Sequence, residues 1–162
     1  MRKSIQEQYD KTADVYDSRY KDIQEEKYRI MLEDMQLKEP ILDLGSGTGL
    51  LQKYLKGKLY GLDISFASLK KSSEMVVQGD AEQIPYKDNA FSTVLSFTTF
   101  QNLESAEAML REVKRVLKKD GLFVLTVLNK FTDKLSAIEK YFRIIEIKTC
   151  GEDIGLVLAK LF

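Results

Sequence analysis

The chain has 162 residues, 44% of them apolar and 31% charged, which suits a globular domain that buries one core without disulfides or structural metals. Basic and acidic residues number 25 each, so no global field steers the protein towards nucleic acid or an anionic membrane, although a local basic patch is left open. Cys150 is the only cysteine and histidine is absent, which excludes an internal disulfide, cysteine- or histidine-built metal sites, Ser-His-Asp catalysis and a histidine base.

Residues 4 to 37 read as helical, with Tyr28, Met31, Leu32 and Met35 on one face. Pro40 closes that segment and opens the next. Ile41-Leu42-Asp43-Leu44 is a short apolar run, the pattern of a buried parallel strand. A helix over Leu50 to Lys56 stopping at Gly57, a strand over Leu59 to Ile64, a helix over Ser65 to Ser72 and a short strand Met75-Val76-Val77 follow. Phe91 to Phe97 reads as a fourth strand. Ala106, Met109, Leu110, Val113 and Leu117 line one side of an amphipathic helix, whose expected last turn carries Lys118 and Lys119 and whose expected stop is Gly121. Leu122 to Leu128 is the longest apolar run and reads as a central fifth strand, followed by a helix over Phe131 to Tyr141. Phe142 to Lys148 and Ile154 to Leu161 read as an antiparallel hairpin, with Cys150 in its turn.

This βα alternation predicts a doubly wound α/β domain. Its mostly parallel seven-stranded sheet would end in a C-terminal antiparallel hairpin, preceded by N-terminal helices. The whole chain, 1–162, reads as one domain, with a helical lid over 1–38 and a core over 39–162. No apolar run approaches the roughly 18 residues of a transmembrane helix. Met1-Arg2-Lys3-Ser4-Ile5-Gln6 holds no signal-type apolar stretch. The expectation is a cytoplasmic protein with no metal and no membrane partner.

The loop Gly45-Ser46-Gly47-Thr48-Gly49 lies between a predicted strand and a predicted helix, where glycine permits positive φ and lets a ligand approach the backbone. Asp63 follows Gly49 by 14 positions and ends the second predicted strand. A carboxylate there can accept hydrogen bonds from both hydroxyls of a ribose; alternatively it caps the next helix, a role that Ser65 can fill itself. A dinucleotide fingerprint would require glycine where Leu50 stands.

Four blocks in order and spacing carry a resemblance. They are Asp43 to Gly49, the strand-end Asp63, Gly79-Asp80-Ala81-Glu82-Gln83-Ile84-Pro85-Tyr86 with Phe91, and Arg111 to Gly121. With them the chain resembles the class I S-adenosylmethionine-dependent methyltransferases, in the group of the ubiquinone and menaquinone C-methyltransferases. The resemblance implies a Rossmann-like fold and S-adenosyl-L-methionine as cofactor, leaving S-adenosyl-L-homocysteine. It places Gly45, Ser46, Gly47 and Gly49 along the methionine portion, Asp63 on the ribose, and Asp80 and Ala81 on the adenine. Ser96 and Phe97 would lie beneath the methyl group. Asp43 would hold the loop or reach the cofactor amine through water, or else bond turn amides as a strand-end acid. Ile64 and Ile84 would flank the adenine, or serve as core; Asp80 is also explained as a turn acid.

Tyr9, Tyr16, Arg19 and Tyr20 fall in the segment resembling the family's lid and are candidate substrate contacts, with surface packing the alternative. Where many relatives carry paired histidines, this chain has Phe100-Gln101-Asn102-Leu103, so no catalytic residue is assigned. Ser96-Phe97-Thr98-Thr99 replaces the Asn-Pro-Pro-Tyr signature of planar-nitrogen methylation. The acceptor is unidentified, and a small molecule is favoured. The alternatives are an RNA or protein acceptor reached with a partner subunit, and a non-catalytic cofactor-binding subunit. Such a protein partner would add at the edge strand Met75-Val76-Val77. Arg111, Lys114, Arg115, Lys118 and Lys119 read as a solvated helix face rather than an RNA surface.

Overall fold

The computed structural model describes the backbone of residues 2–72 and 75–162, and the side chains of these except at 2, 9 and 12–19. Seven strands follow one another as β1 (Ile41–Leu44), β2 (Tyr60–Asp63), β3 (Val76–Gln78), β4 (Phe91–Phe97), β5 (Leu117–Leu128), β6 (Phe142–Cys150) and β7 (Asp153–Lys160). They form one sheet in the order β3-β2-β1-β4-β5-β7-β6. The first five run parallel, and β7 pairs antiparallel with both β5 and β6. The helices are α1 (Arg2–Leu32), α2 (Leu50–Leu55), α3 (Phe66–Leu69) and α4 (Ala106–Val116). No helix among the described residues is long and apolar enough to cross a membrane.

Strand periodicity explains the layering. Successive residues of the central strands point to opposite faces, so Val94 and Phe123 join one core while Leu95 and Val124 join the other. The first core is closed by Met109, Leu110, Val113 and Val116 of α4, all fully buried. Each such side chain contributes about 1.5–3 kcal/mol on full burial. The second is closed by Tyr28, Met31 and Leu32 of α1 and Leu50 and Leu51 of α2. Ser105 caps α4, its side chain accepting from the Ala108 amide at 3.1 Å.

Several boundaries differ from the sequence reading. Helix α1 ends at Leu32 rather than near residue 37. The left-handed residue that ends α2 is Lys56, φ 52°, one position before the expected Gly57. Helix α4 stops at Val116, because Leu117 takes an extended conformation and pairs with Phe91. Lys118 and Lys119 therefore belong to β5, and the basic last turn of α4 is Lys114 and Arg115. The expected α-helix over Phe131 to Tyr141 is instead a tighter 3-10 run over Asn129–Lys140, broken at Phe131. Because β5 and β6 both run antiparallel to β7, this run must return along the sheet from the end of β5 to the start of β6, and its larger rise per residue suits that distance. Cys150 is buried at the end of β6 opposite Asp153, so the hairpin turn is Gly151-Glu152.

The strand order reverses between β1 and β4, leaving a crevice at their carboxyl ends.

Candidate functional site

The loop leaving β1 is pinned from behind: the amides of Gly45 and Ser46 donate to the Leu62 carbonyl at 2.7 and 3.1 Å. Gly45, Gly47 and Gly49 all have positive φ, at 74°, 55° and 87°. They serve different ends. A Cβ at Gly45 would lie 2.1 Å from Thr99 Oγ1, and one at Gly49 would lie 2.8 Å from Ser72 Oγ, so these two let neighbouring segments close in. At Gly47 a Cβ would meet nothing within 4 Å, because that side of the loop faces open cleft.

Asp63 closes the other side of the loop. One carboxylate oxygen accepts from the Gly47 amide at 2.8 Å and the other from the Ser65 amide at 2.8 Å. Burial pushes its carboxyl above the ordinary range, the two amide bonds pull it back, and the nearby Asp10 charge adds to the rise. Asp43, also buried, is pushed well above the usual range by desolvation first and by the charge of Asp63 second. Two carboxyl groups are thus held close together, and no lysine or arginine lines the cleft among the described residues.

Asp80 lines the same cleft while its Oδ1 accepts from the Glu82 amide at 2.8 Å and its carbonyl from Gln83 at 2.9 Å. It is both a turn acid and a cleft residue. Helix α4 holds this turn in place. Glu112 accepts from the Ile84 amide at 2.8 Å, and the Arg115 guanidinium donates to the carbonyls of Ile84 and Tyr86 and to Asp88. Arg115 is therefore a structural clamp and not part of a solvated basic face, and the Glu112 beside it holds its charge still more firmly.

A family model described as a methyltransferase domain matches residues 42–125, the stretch that supplies the glycine loop, Asp63, Asp80 and α4. The chain belongs to this methyltransferase-domain family. An uncharacterized protein of Methanocaldococcus jannaschii is 40% identical over 140 residues, 80% of this chain and 54% of that protein. A demethylmenaquinone methyltransferase of Thermotoga maritima is 34% identical over 113 residues, 60% of this chain and 49% of that enzyme. The chain thus spans about half the length of these curated relatives. Among solved structures, the complex of the Haloferax volcanii Trm112 methyltransferase activator with a methyltransferase holds a chain of the same fold. The match has a TM-score of 0.82 at 17% identity and covers 95% of this chain and 98% of that one.

Within this methyltransferase domain, the cleft brings together Asp43, Gly45, Ser46, Gly47, Asp63, Ile64, Asp80, Ala81 and Phe97. Gly49 lies outside the lining and serves the start of α2. Ser96 is fully buried within β4, and Ile84 packs in the α4-side core. Tyr20 is 37% exposed and does not line the cleft. The side chains of Tyr9, Tyr16 and Arg19 lie outside the described residues.

Sequence reasoning missed the wall opposite Asp63. Gln24 and Tyr28 of α1 and Thr98 and Thr99 after β4 also line the cleft. Tyr28 meets Phe97 edge-on, with ring centroids 4.9 Å apart. Its place on the apolar face of α1 was legible, but not that this face also borders a cavity. Thr98 gives no sequence signal, since its φ of 55° is rare for a β-branched residue.

Proposed function

We propose that the domain binds S-adenosyl-L-methionine in this cleft and transfers its methyl group to an acceptor, with S-adenosyl-L-homocysteine as the product. The observation that carries this reading is the pairing of Gly47 with Asp63: an open glycine loop whose amide is tied to a strand-end carboxylate facing the same cleft. The residues suit the cofactor. Among the described residues lining the cleft the charged ones are Asp43, Asp63, Asp80, Glu82 and Glu104, with no lysine or arginine, which favours a ligand carrying positive charge.

On this reading Asp63 accepts from the ribose, and Asp80 and Ala81 serve the adenine. Gly45, Ser46 and Gly47 border the methionine portion, with Asp43 beneath. When bound, the cofactor supplies a sulfonium-activated methyl group. The protein's task is then to align an acceptor and exclude water, a matter of proximity and orientation. A small-molecule acceptor is favoured, with α1 forming one wall of its enclosure through Gln24 and Tyr28.

Calorimetry with S-adenosylmethionine, S-adenosylhomocysteine and NAD tests the cofactor assignment. Micromolar-range binding of the first two and no comparable NAD signal is expected; NAD binding without a signal from either of the others overturns it.

A second reading has the domain act on RNA or protein with a partner subunit. It is favoured by the β3 edge, where Met75 and Val77 are each 38% exposed, and by the structural neighbour that is complexed with an activator. Light scattering decides between them: a monomer that methylates a small metabolite unaided excludes the partner reading.

A further inference from the structure

Thr98 is the first residue beyond β4, and its backbone is held where a threonine does not go unaided. A β-branched residue at φ 55° is strained by about 1–3 kcal/mol, and such strain persists only when the surroundings over-determine it. Here they do. The Thr98 amide donates to the Thr126 carbonyl at 3.1 Å and to Thr126 Oγ1 at 3.0 Å, and Gln101 Nε2 donates to the Thr98 carbonyl at 2.9 Å. The side chain is held more firmly still. Lys27 Nζ donates to Thr98 Oγ1 at 2.9 Å, and the Thr98 hydroxyl donates to Asp153 Oδ2 at 2.9 Å. Lys27 and Asp153 form an ion pair of 2.9 Å, with side chains only 8% and 0% exposed.

This cluster joins three elements that are remote in sequence: α1, the end of β4 and the start of β7. Neither Lys27 nor Asp153 lines the cleft, whereas Thr98 does, as do Gln24 and Tyr28 to either side of Lys27 on α1. A buried ion pair is weak evidence for stability as such, because desolvation offsets the attraction. One that clasps a strained cleft residue has another use.

The sheet order indicates which end of the cleft it serves. Asp63 ends β2, Asp80 follows β3, and Thr98 follows β4 on the far side of β1. With the nucleoside at the two acids, the sulfonium end would lie towards β4. Resting on the cofactor reading above, we propose that Lys27, Thr98 and Asp153 are positioning residues for methyl transfer. By holding Thr98 in its left-handed conformation, they fix the wall beside the sulfonium and keep α1 against it.

Two variants read this out. Thr98→Val keeps the shape but lacks the hydroxyl; Thr98→Gly reaches the left-handed conformation without help. Each is checked for a cooperative melt, then titrated calorimetrically with S-adenosylmethionine and with S-adenosylhomocysteine, which lacks the methyl group. The bound methyl is followed by NMR with [methyl-13C]S-adenosylmethionine.

Thr98→Val is expected to weaken S-adenosylmethionine by about tenfold, the scale of the strain it leaves uncompensated, to weaken S-adenosylhomocysteine less, and to move the methyl resonance. Thr98→Gly is expected to recover most of that loss. The proposal is overturned if Thr98→Val lowers only the melting temperature, if it weakens both ligands equally with the methyl resonance unmoved, or if Thr98→Gly is as impaired as Thr98→Val. If the unaltered protein binds neither ligand, it is the cofactor reading that fails.

Discussion

The two walls of the cleft are built in different ways. The β2/β3 wall is local: Asp63 binds amides two and sixteen positions away, and Asp80 binds the amide two positions on. The β4 wall is assembled from afar, with Lys27 and Asp153 reaching Thr98 across 71 and 55 positions. Turn chemistry places the two acids of the first, and α4 clamps the turn beyond Asp80 through Glu112 and Arg115. The second needs a buried ion pair to hold a backbone that its own residues would not choose. A local wall tolerates the loss of one side chain, because solvent and loop amides can substitute; a clasped wall does not.

That contrast is broken most sharply at Asp153. Asp153→Ala leaves Lys27 buried without its carboxylate, and a loss of about 3–5 kcal/mol in unfolding free energy is expected by urea denaturation. A loss under about 1 kcal/mol, the scale of an exposed pair, would make the two walls alike.

On the local wall, Asp63→Ala is expected to cost about 1.5–3 kcal/mol of S-adenosylhomocysteine affinity by calorimetry, with a cooperative melt retained. Unchanged affinity removes Asp63 from the ribose.

Gly47→Ala places a methyl group in the open cleft at a positive φ, so the backbone penalty of about 1–2 kcal/mol is the whole of its expected stability cost. A larger loss in thermal melts would mean that this side of the loop is packed.

The smallest expected effect is a change of slope. Burial raises the Asp43 carboxyl, so the folded form holds its proton more tightly than the unfolded chain does. Stability is then highest where Asp43 is protonated in both states. It declines as pH rises from the unfolded value through the raised folded one, and stays lower above. Asp43→Asn is expected to flatten that part of the melting-temperature profile and to melt higher at neutral pH. A profile parallel to that of the unaltered protein would show that Asp43 ionises without penalty.

The same contrast explains what could be read from the sequence. Strand β4 was legible residue for residue, and the βα alternation implied the parallel sheet with its closing hairpin. The end of α4 was not: Lys118, Lys119 and Gly121 carry every local signal of a helix terminus, yet Leu117 is drawn into the sheet by pairing with Phe91. In the site, Gly47 and Asp63 announced themselves because their chemistry depends on residues nearby. Lys27 and Asp153 carry no local signal, and only the packing of α1 and β7 against the end of β4 reveals them as buried partners.

Helix α1 is also secured at a second point. Near its start, Asp10 accepts hydrogen bonds from the Ser65 hydroxyl and the Ala67 amide, on the Asp63 side of the cleft, while Lys27 secures its later turns on the Thr98 side. On the cofactor reading, α1 borders the bound ligand through Gln24 and Tyr28, so it is expected to govern residence time more than equilibrium affinity. Stopped-flow displacement of S-adenosylhomocysteine should therefore quicken in Asp10→Ala, with entry quickened in proportion; an unchanged off-rate would place the exit route elsewhere.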